Sequence, residues 1–277
     1  MKNLIPLNRT ITHWDGIVNA MHLRNRTPLL AIRPAIVNRF TEYQQFCIPN
    51  ILENISTSVY SGAIATSLRS CYNSGSAGIE RLKQAIRDEQ QEFLKGECQY
   101  CNIGEPSTMD HYLPQEEFPE FAALSINLLP CCSKCNTEKG EEWQINGNRR
   151  IINYYFDDLP NVDYLFCTIT FRNGNALANF SLNTNAVAAG IAAVITNHFQ
   201  DLDLLERYRI RSGGEIVEVR DAIMQKANKN LLHMRTELIA DANALKNRKG
   251  QNYWRAVLKI ALANSDQFLL DAGFRYI

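Results

Sequence analysis

Two cysteine pairs enclose a short polar segment between positions 98 and 140. Cys98 is paired with Cys101 and Cys132 with Cys135, each in Cys-x-x-Cys spacing. A Cys-x-x-Cys turn presents two thiolates on one loop, and zinc takes four such ligands in a tetrahedron. The spacing therefore predicts a closed, structural zinc site made of these four cysteines.

The chain contains eight cysteines, so four lie outside these two pairs. Cys131 is an alternative to Cys132 as a ligand, but only Cys132 repeats the two-residue gap of the first pair. Cys47, Cys71 and Cys167 lie in apolar or mixed contexts, which are typical of buried free thiols. An intracellular chain uses paired thiolates to hold zinc more often than to form disulfides. We therefore predict a zinc site built on Cys132.

The polar residues between the cysteine pairs have catalytic potential. MDHYLP at 109–114 contains Asp110 and His111, Asn127 precedes an apolar run, and Asn136 follows the last cysteine. A neutral imidazole, whose unperturbed pKa is about 6.5, suits general-base chemistry at physiological pH. Carboxylate and amide oxygens are ligands of hard divalent cations. The segment could therefore supply both a base and a cation site.

This pattern resembles the HNH, or ββα-metal, endonuclease superfamily. The resemblance is carried by the Asp110-His111 pair, by Asn127, and by CSKCNTEKG at 132–140. It covers residues 98–140, and the rest of the chain is interpreted without it. It implies a zinc-stapled ββα unit and metal-dependent hydrolysis of phosphodiester bonds.

The resemblance also implies a role for each polar residue. Asp110 and Asn136 correspond to the ligands of one catalytic divalent ion, and His111 corresponds to the general base. Asn127 would hydrogen-bond backbone near His111 and orient the imidazole. Many relatives have a histidine where this chain has Asn136, and a weak, neutral amide ligand favours Mg²⁺ or Mn²⁺. Removal of Asp110 should then leave a folded but inactive protein.

Three basic residues are candidates for nucleic-acid contacts. Lys139 would lie one helical turn after the amide ligand and touch a phosphate; the alternative is a solvated surface lysine. Arg149 and Arg150, with Tyr154 and Tyr155, would continue the groove by phosphate contact and stacking. The alternative is that they pack against the hairpin that follows.

The flanking sequence predicts a mainly helical α+β chain. A helix should begin near Arg33-Pro34, and a second should run from about 77 to 94, where apolar residues recur at helical spacing. Residues 164–182 predict a β-hairpin that turns at Asn173-Gly174. Three helices should follow, at about 185–208, 215–246 and 253–270, with Gly213-Gly214 as a helix stop.

These elements suggest three regions along the chain. We predict an N-terminal helical region at 1–95, a nuclease unit with the four-cysteine zinc site at 96–160, and a hairpin with C-terminal helices at 161–277. The last region carries an apolar stripe from Ile223 to Leu245 that either packs within the chain or pairs with a partner helix.

Charge balance and the lengths of the apolar stretches indicate the compartment and the kinds of partner to expect. Lys plus Arg and Asp plus Glu both number 29, so no overall field attracts the chain to nucleic acid or to an anionic membrane. The longest apolar stretches, such as 187–195, fall short of the roughly 20 residues that span a bilayer. MKNLIPLNRT at the N-terminus has no apolar run of signal-peptide length. We expect a cytoplasmic protein without membrane partners.

These features together favour a metal-dependent endonuclease that cuts DNA. A neutral nuclease with helical flanks resembles subunits of bacterial anti-phage systems, in which an ATPase partner delivers the nuclease. One alternative is a non-catalytic, zinc-stapled adaptor that binds another protein through its C-terminal helices. Another is an RNA-cleaving toxin, since nothing in the motif reports contact with a 2′-hydroxyl.

Overall fold

The computed structural model of the protein describes residues 2–276 and divides them into two compact units. The N-terminal unit comprises residues 3–158, and the C-terminal unit comprises residues 159–276 with residue 2. The fold is α+β and mainly helical, which confirms the predicted class. The three-region division stays a prediction, although the N-terminal helices and the cysteine-rich segment belong to the same unit.

The N-terminal unit contains six helices and four short strands. Its helices are α1 (Thr10–Asn19), α2 (Leu23–Cys47), α3 (Gly62–Asn73), α4 (Ala77–Asp88), α5 (Glu92–Lys95) and α6 (Ser133–Lys139). Its strands are β1 (Thr108–His111), β2 (Leu128–Cys131), β3 (Gln144–Ile145) and β4 (Asn148–Arg149). β1 and β2 pair antiparallel, and α6 follows β2 directly, so this segment has the expected ββα order.

Helix α2 begins about ten residues before its predicted start, at Leu23 instead of near Arg33. Pro28 and Pro34 both lie inside it, and each lacks the N–H for one helical hydrogen bond. Tertiary packing offsets this loss, because Ile36 and Tyr43 on its inner face are completely buried.

Helix α4 lies close to the predicted position and shows the amphipathic pattern expected from sequence. Ile79, Leu82 and Ile86 are buried along one face. A Cβ atom at Gly78 would lie 3.0 Å from the Cα of Ile17, so α1 and α4 approach closely at this glycine. The predicted extension to residue 94 is instead the separate helix α5.

The C-terminal unit consists of a β-hairpin followed by helices. Its strands are β5 (Leu165–Arg172) and β6 (Asn175–Leu182). Its helices are α7 (Ala189–Asp201), α8 (Leu204–Met224), α9 (Leu231–Lys249), α10 (Trp254–Ala263) and α11 (Asp266–Asp271). Asn173 and Gly174 form the turn with positive φ angles of 51° and 76°, so the predicted hairpin is confirmed.

Five helices replace the three expected after the hairpin. The prediction of a helix stop at Gly213-Gly214 is wrong, because α8 continues through both glycines. Packing explains the difference, since Tyr208 and Ile216 on either side of the glycines are buried. Among residues 2–276, no helix has both the length and the apolar character that crossing a bilayer requires.

Candidate functional site

The four predicted cysteine ligands form one buried cluster. The Sγ atoms of Cys98, Cys101, Cys132 and Cys135 all lie within 4.8 Å of one another. The Sγ atoms of Cys101 and Cys132 are 3.9 Å apart, close to the edge of about 3.8 Å expected for a tetrahedron with Zn–S bonds of about 2.3 Å. The cluster is therefore suited to zinc, and it contains Cys132, as predicted, and not Cys131.

Local backbone geometry brings the two cysteine pairs together. Asn102 has a left-handed φ of 52°, and the backbone N–H of Cys98 donates to the carbonyl of Gly104 at 2.6 Å. A Cβ at Gly104 would lie 3.0 Å from the Cβ of Cys132, so glycine lets the first loop approach the second pair. Hydrogen bonds from the other three thiols hold the pKa of Cys132 far below its usual range, which favours a metal-binding thiolate.

Asp110 lies on β1 with its carboxylate buried between two donors. The hydroxyl of Tyr100 donates to Oδ2 at 2.7 Å, and Nζ of Lys139 donates to Oδ1 at 3.1 Å. Tyr100 lies inside the first Cys-x-x-Cys turn, so the cysteine cluster also positions this carboxylate. Each carboxylate oxygen can accept a further bond, which leaves capacity for a cation.

The imidazole of His111 is held in one tautomer. Its Nε2 lies 2.9 Å from the carbonyl of Ala122, which can only accept, so Nε2 carries the proton. Nδ1 is then the unprotonated nitrogen. Burial lowers the pKa of His111 to about 4, against the opposing effect of the hydrogen bond to Ala122. The ring is therefore neutral at physiological pH, and its Nδ1 can accept a hydrogen bond.

Asn127 fixes the loop that follows His111. Its Oδ1 accepts from the backbone N–H of Leu113 at 2.8 Å, and its Nδ2 donates to the carbonyls of Leu113 and Phe121 at 3.1 Å each. The hydroxyl of Tyr43 on α2 also donates to Oδ1, at 3.1 Å. These contacts match the backbone-holding position expected for Asn127, although its catalytic importance stays a prediction.

A single cleft of about 570 Å³ unites the predicted catalytic residues. Asp110 and His111 line it from β1, and Asn136 lines it from the first turns of α6. Tyr72 of α3 also borders the cleft, with its ring packed edge-on against the imidazole at 4.4 Å between centroids. The strand pair and α6 thus bring a carboxylate, an imidazole and an amide to one solvent-accessible space.

The structure corrects the expectations for the downstream basic residues. Lys139 is buried, and its ammonium also donates to the carbonyl of His111 at 2.8 Å, so it is neither a surface lysine nor free for phosphate. Arg149 is buried and forms an ion pair with Asp157 at 2.7 Å. Both cations turn inward because a buried carboxylate attracts each of them. The contact predicted for Arg150, which is half-buried, stays a prediction.

Tyr154 and Tyr155 are also buried, so base stacking on either ring is excluded in this conformation. Sequence reasoning missed two tyrosines of the site. Tyr72, on the distant helix α3, packs against His111, and Tyr100, in the nearby cysteine turn, donates to Asp110. For Tyr100, its place inside the cysteine loop was a usable signal. For Tyr72, no local pattern indicated the contact.

Two known proteins are similar to this chain. Protein ea31 of Escherichia phage lambda is 28% identical over 199 residues, which are 62% of this chain and 62% of ea31. Septu protein PtuB of Bacillus thuringiensis is 26% identical over 196 residues, which are 64% of this chain and 68% of PtuB. The chain thus matches under two thirds of the length of ea31, and its likeness to PtuB is that of a distant homologue. No family model matches the sequence, and no solved structure matches it.

Proposed function

We propose that this protein is a metal-dependent endonuclease of the ββα-metal type that hydrolyses phosphodiester bonds in DNA. The observation that carries the proposal is the shared cleft, in which Asp110, His111 and Asn136 meet beside a zinc-compatible cysteine cluster. A structural zinc site alone would serve an adaptor equally well. The neutral imidazole facing a cleft with a carboxylate and an amide favours hydrolysis.

In this proposal His111 acts as general base through Nδ1. A water molecule loses a proton to Nδ1 as its oxygen attacks phosphorus, and the bond from phosphorus to the leaving sugar oxygen breaks. The hydrogen bond from Nε2 to Ala122 keeps the accepting nitrogen directed away from the backbone. The leaving oxygen takes its proton from solvent, so charge and atoms balance.

Asp110 and Asn136 would hold the catalytic divalent ion. Their oxygen donors suit Mg²⁺ or Mn²⁺, and such an ion would offset the negative charge that develops on the phosphoryl group and the leaving oxygen. Zinc in the four-cysteine cluster would have a purely structural role, because four thiolates leave no open coordination position.

The distant likeness to PtuB supports a place in anti-phage defence, in cooperation with other proteins. PtuB is named as a Septu protein, and its distant likeness extends over 64% of this chain. The chain has no net charge, so a partner such as an ATPase would supply much of the affinity for DNA.

Plasmid cleavage tests the catalytic proposal. Zinc-loaded protein should nick or linearise supercoiled DNA only when Mg²⁺ or Mn²⁺ is added, and His111→Ala should abolish cleavage. His233→Ala is a matched control, because this histidine is half-exposed on α9 in the C-terminal unit and should be dispensable. Circular dichroism should show both variants folded.

The outcomes separate the competing functions. An intact plasmid under every metal condition, with the candidate ATPase also present, would favour the adaptor. Cleavage of RNA without cleavage of DNA would favour the toxin. Cleavage that persists unchanged in His111→Ala would refute the assignment of the general base.

A further inference from the structure

Two cations on α4 line the same cleft as the proposed catalytic residues. Lys83 and Arg87 are one helical turn apart, and both border the space that Asp110 and His111 enter from β1. Glu80 lies one turn earlier and completes the same face of the helix. Because Lys139 and Arg149 are buried in ion pairs, these α4 side chains can provide the positive charge that those residues cannot.

Lys83 is linked to the proposed base through Tyr72. Its Nζ lies 4.6 Å from the centroid of the Tyr72 ring, and this ring packs against His111. An anion held at Lys83 would therefore lie close to the water that His111 activates.

Neither cation is tied to a buried partner. Lys83, whose side chain is 19% exposed, pairs with Glu80 at 2.8 Å, and the Glu80 side chain is 57% exposed. Arg87 is partly exposed and, among residues 2–276, forms no ion pair or side-chain hydrogen bond. Neither group is therefore held away from the cleft by a buried carboxylate.

The chemistry of the pair fits phosphate. A guanidinium donates a planar fork to two phosphate oxygens, and an ammonium adds a compact point charge. The cleft also carries Glu116 and Glu141, so an anionic substrate needs local cations at its binding position.

We propose that Lys83 and Arg87 form a binding site for a backbone phosphate of the DNA substrate on the α4 wall of the cleft. That the substrate is DNA rests on the proposed function. The positions of the two cations in the cleft are given by the structure itself. The site would hold the backbone so that the adjoining phosphodiester bond faces His111.

Binding of a fluorescein-labelled 20-base-pair duplex by the full zinc-loaded chain tests the site. His111→Ala protein serves as the parent, so that binding is measured without cleavage. Lys83→Gln/Arg87→Gln removes both charges but keeps two long side chains, and it should weaken binding at least tenfold. It should also reduce the slope of log affinity against log salt by about 1, since one neutralised phosphate contributes about 0.9.

Two further variants separate specific binding from general charge. Arg81→Ala removes an exposed cation of the same helix outside the cleft and should change affinity less than twofold. Lys83→Arg/Arg87→Lys keeps both charges and should bind within threefold of the parent.

Three results would overturn the inference: no binding by the parent at 100 µM protein, unchanged affinity in the double Gln variant, or an equal loss in Arg81→Ala. A duplex bound through α4 but never cut would contradict the proposed catalysis and leave the phosphate site standing. If the double Gln variant, made in protein that keeps His111, cleaved DNA at an unchanged KM and lost cleavage on His111→Ala, the proposed catalysis would stand and the phosphate site would be refuted.

Discussion

Removing one partner of the buried ion pair between Asp110 and Lys139 should destabilise the N-terminal unit strongly. The two side chains are 3% and 0% exposed, and 3.1 Å separates Oδ1 from Nζ. Neutralising either partner leaves an uncompensated charge in a largely buried position, and such losses amount to about 3–5 kcal/mol. We therefore expect Lys139→Met and Asp110→Asn each to lower the free energy of unfolding by about this amount.

The double variant tests whether the charges act on each other. Lys139→Met/Asp110→Asn removes both charges, so its destabilisation should be smaller than the sum of the single effects by about 2–3 kcal/mol. If Asp110 had only the catalytic role expected from the sequence, Asp110→Asn would not lower the free energy of unfolding.

Urea denaturation at saturating zinc provides the measurement. Trp14 and Trp143 lie in the N-terminal unit and Trp254 in the C-terminal unit, so a Trp254→Phe background makes tryptophan fluorescence report the relevant unit. Additivity of the single effects within about 0.5 kcal/mol would refute the coupling. Single variants as stable as the parent would refute the burial of the pair.

Other substitutions test further parts of the structure. Gly213→Ala and Gly214→Ala should each raise stability by about 0.5–1 kcal/mol in thermal denaturation, because an added Cβ meets no atom within 4 Å; Gly78→Ala, where the Cβ would lie 3.0 Å from backbone, should lower it. Cys135→Ser should lose zinc by metal analysis and unfold the N-terminal unit, since structural zinc supplies on the order of 10 kcal/mol in small sites; a zinc-loaded, folded variant would contradict the four-cysteine assignment. Asn127→Ala should lower the melting temperature and the cleavage rate together, because three buried hydrogen bonds to backbone are lost, and a variant with unchanged melting would exclude the structural role.

Some features of this protein depend only on residues close together in the sequence, and these could be predicted from the sequence alone. The spacing of the cysteines was enough to select Cys132, because two ligands of one ion on a single turn must be separated by a fixed number of residues. The turn at Asn173-Gly174 could also be predicted from the sequence, since few residue pairs adopt two positive φ angles.

Long-range packing decided the direction of the charged side chains. For Lys139, the sequence left a phosphate contact and a solvated surface position equally open. For Arg149, it left open a phosphate contact or packing against the hairpin that follows. Both instead reach buried carboxylates, at Asp110 and Asp157. Which carboxylate lies within reach depends on how β1, α6 and the following loop pack, and no local pattern encodes that distance.

By itself, the sequence was enough to predict the four cysteines of the zinc-compatible cluster, the ββα order and the polar residues around it. Only the tertiary structure decided that α4 brings Lys83 and Arg87 to the cleft and that Tyr100 and Lys139 hold Asp110. The physical reason is the separation along the sequence over which each kind of interaction acts. Coordination and turn geometry act over a few residues, whereas burial and ion pairing depend on segments that only folding brings together.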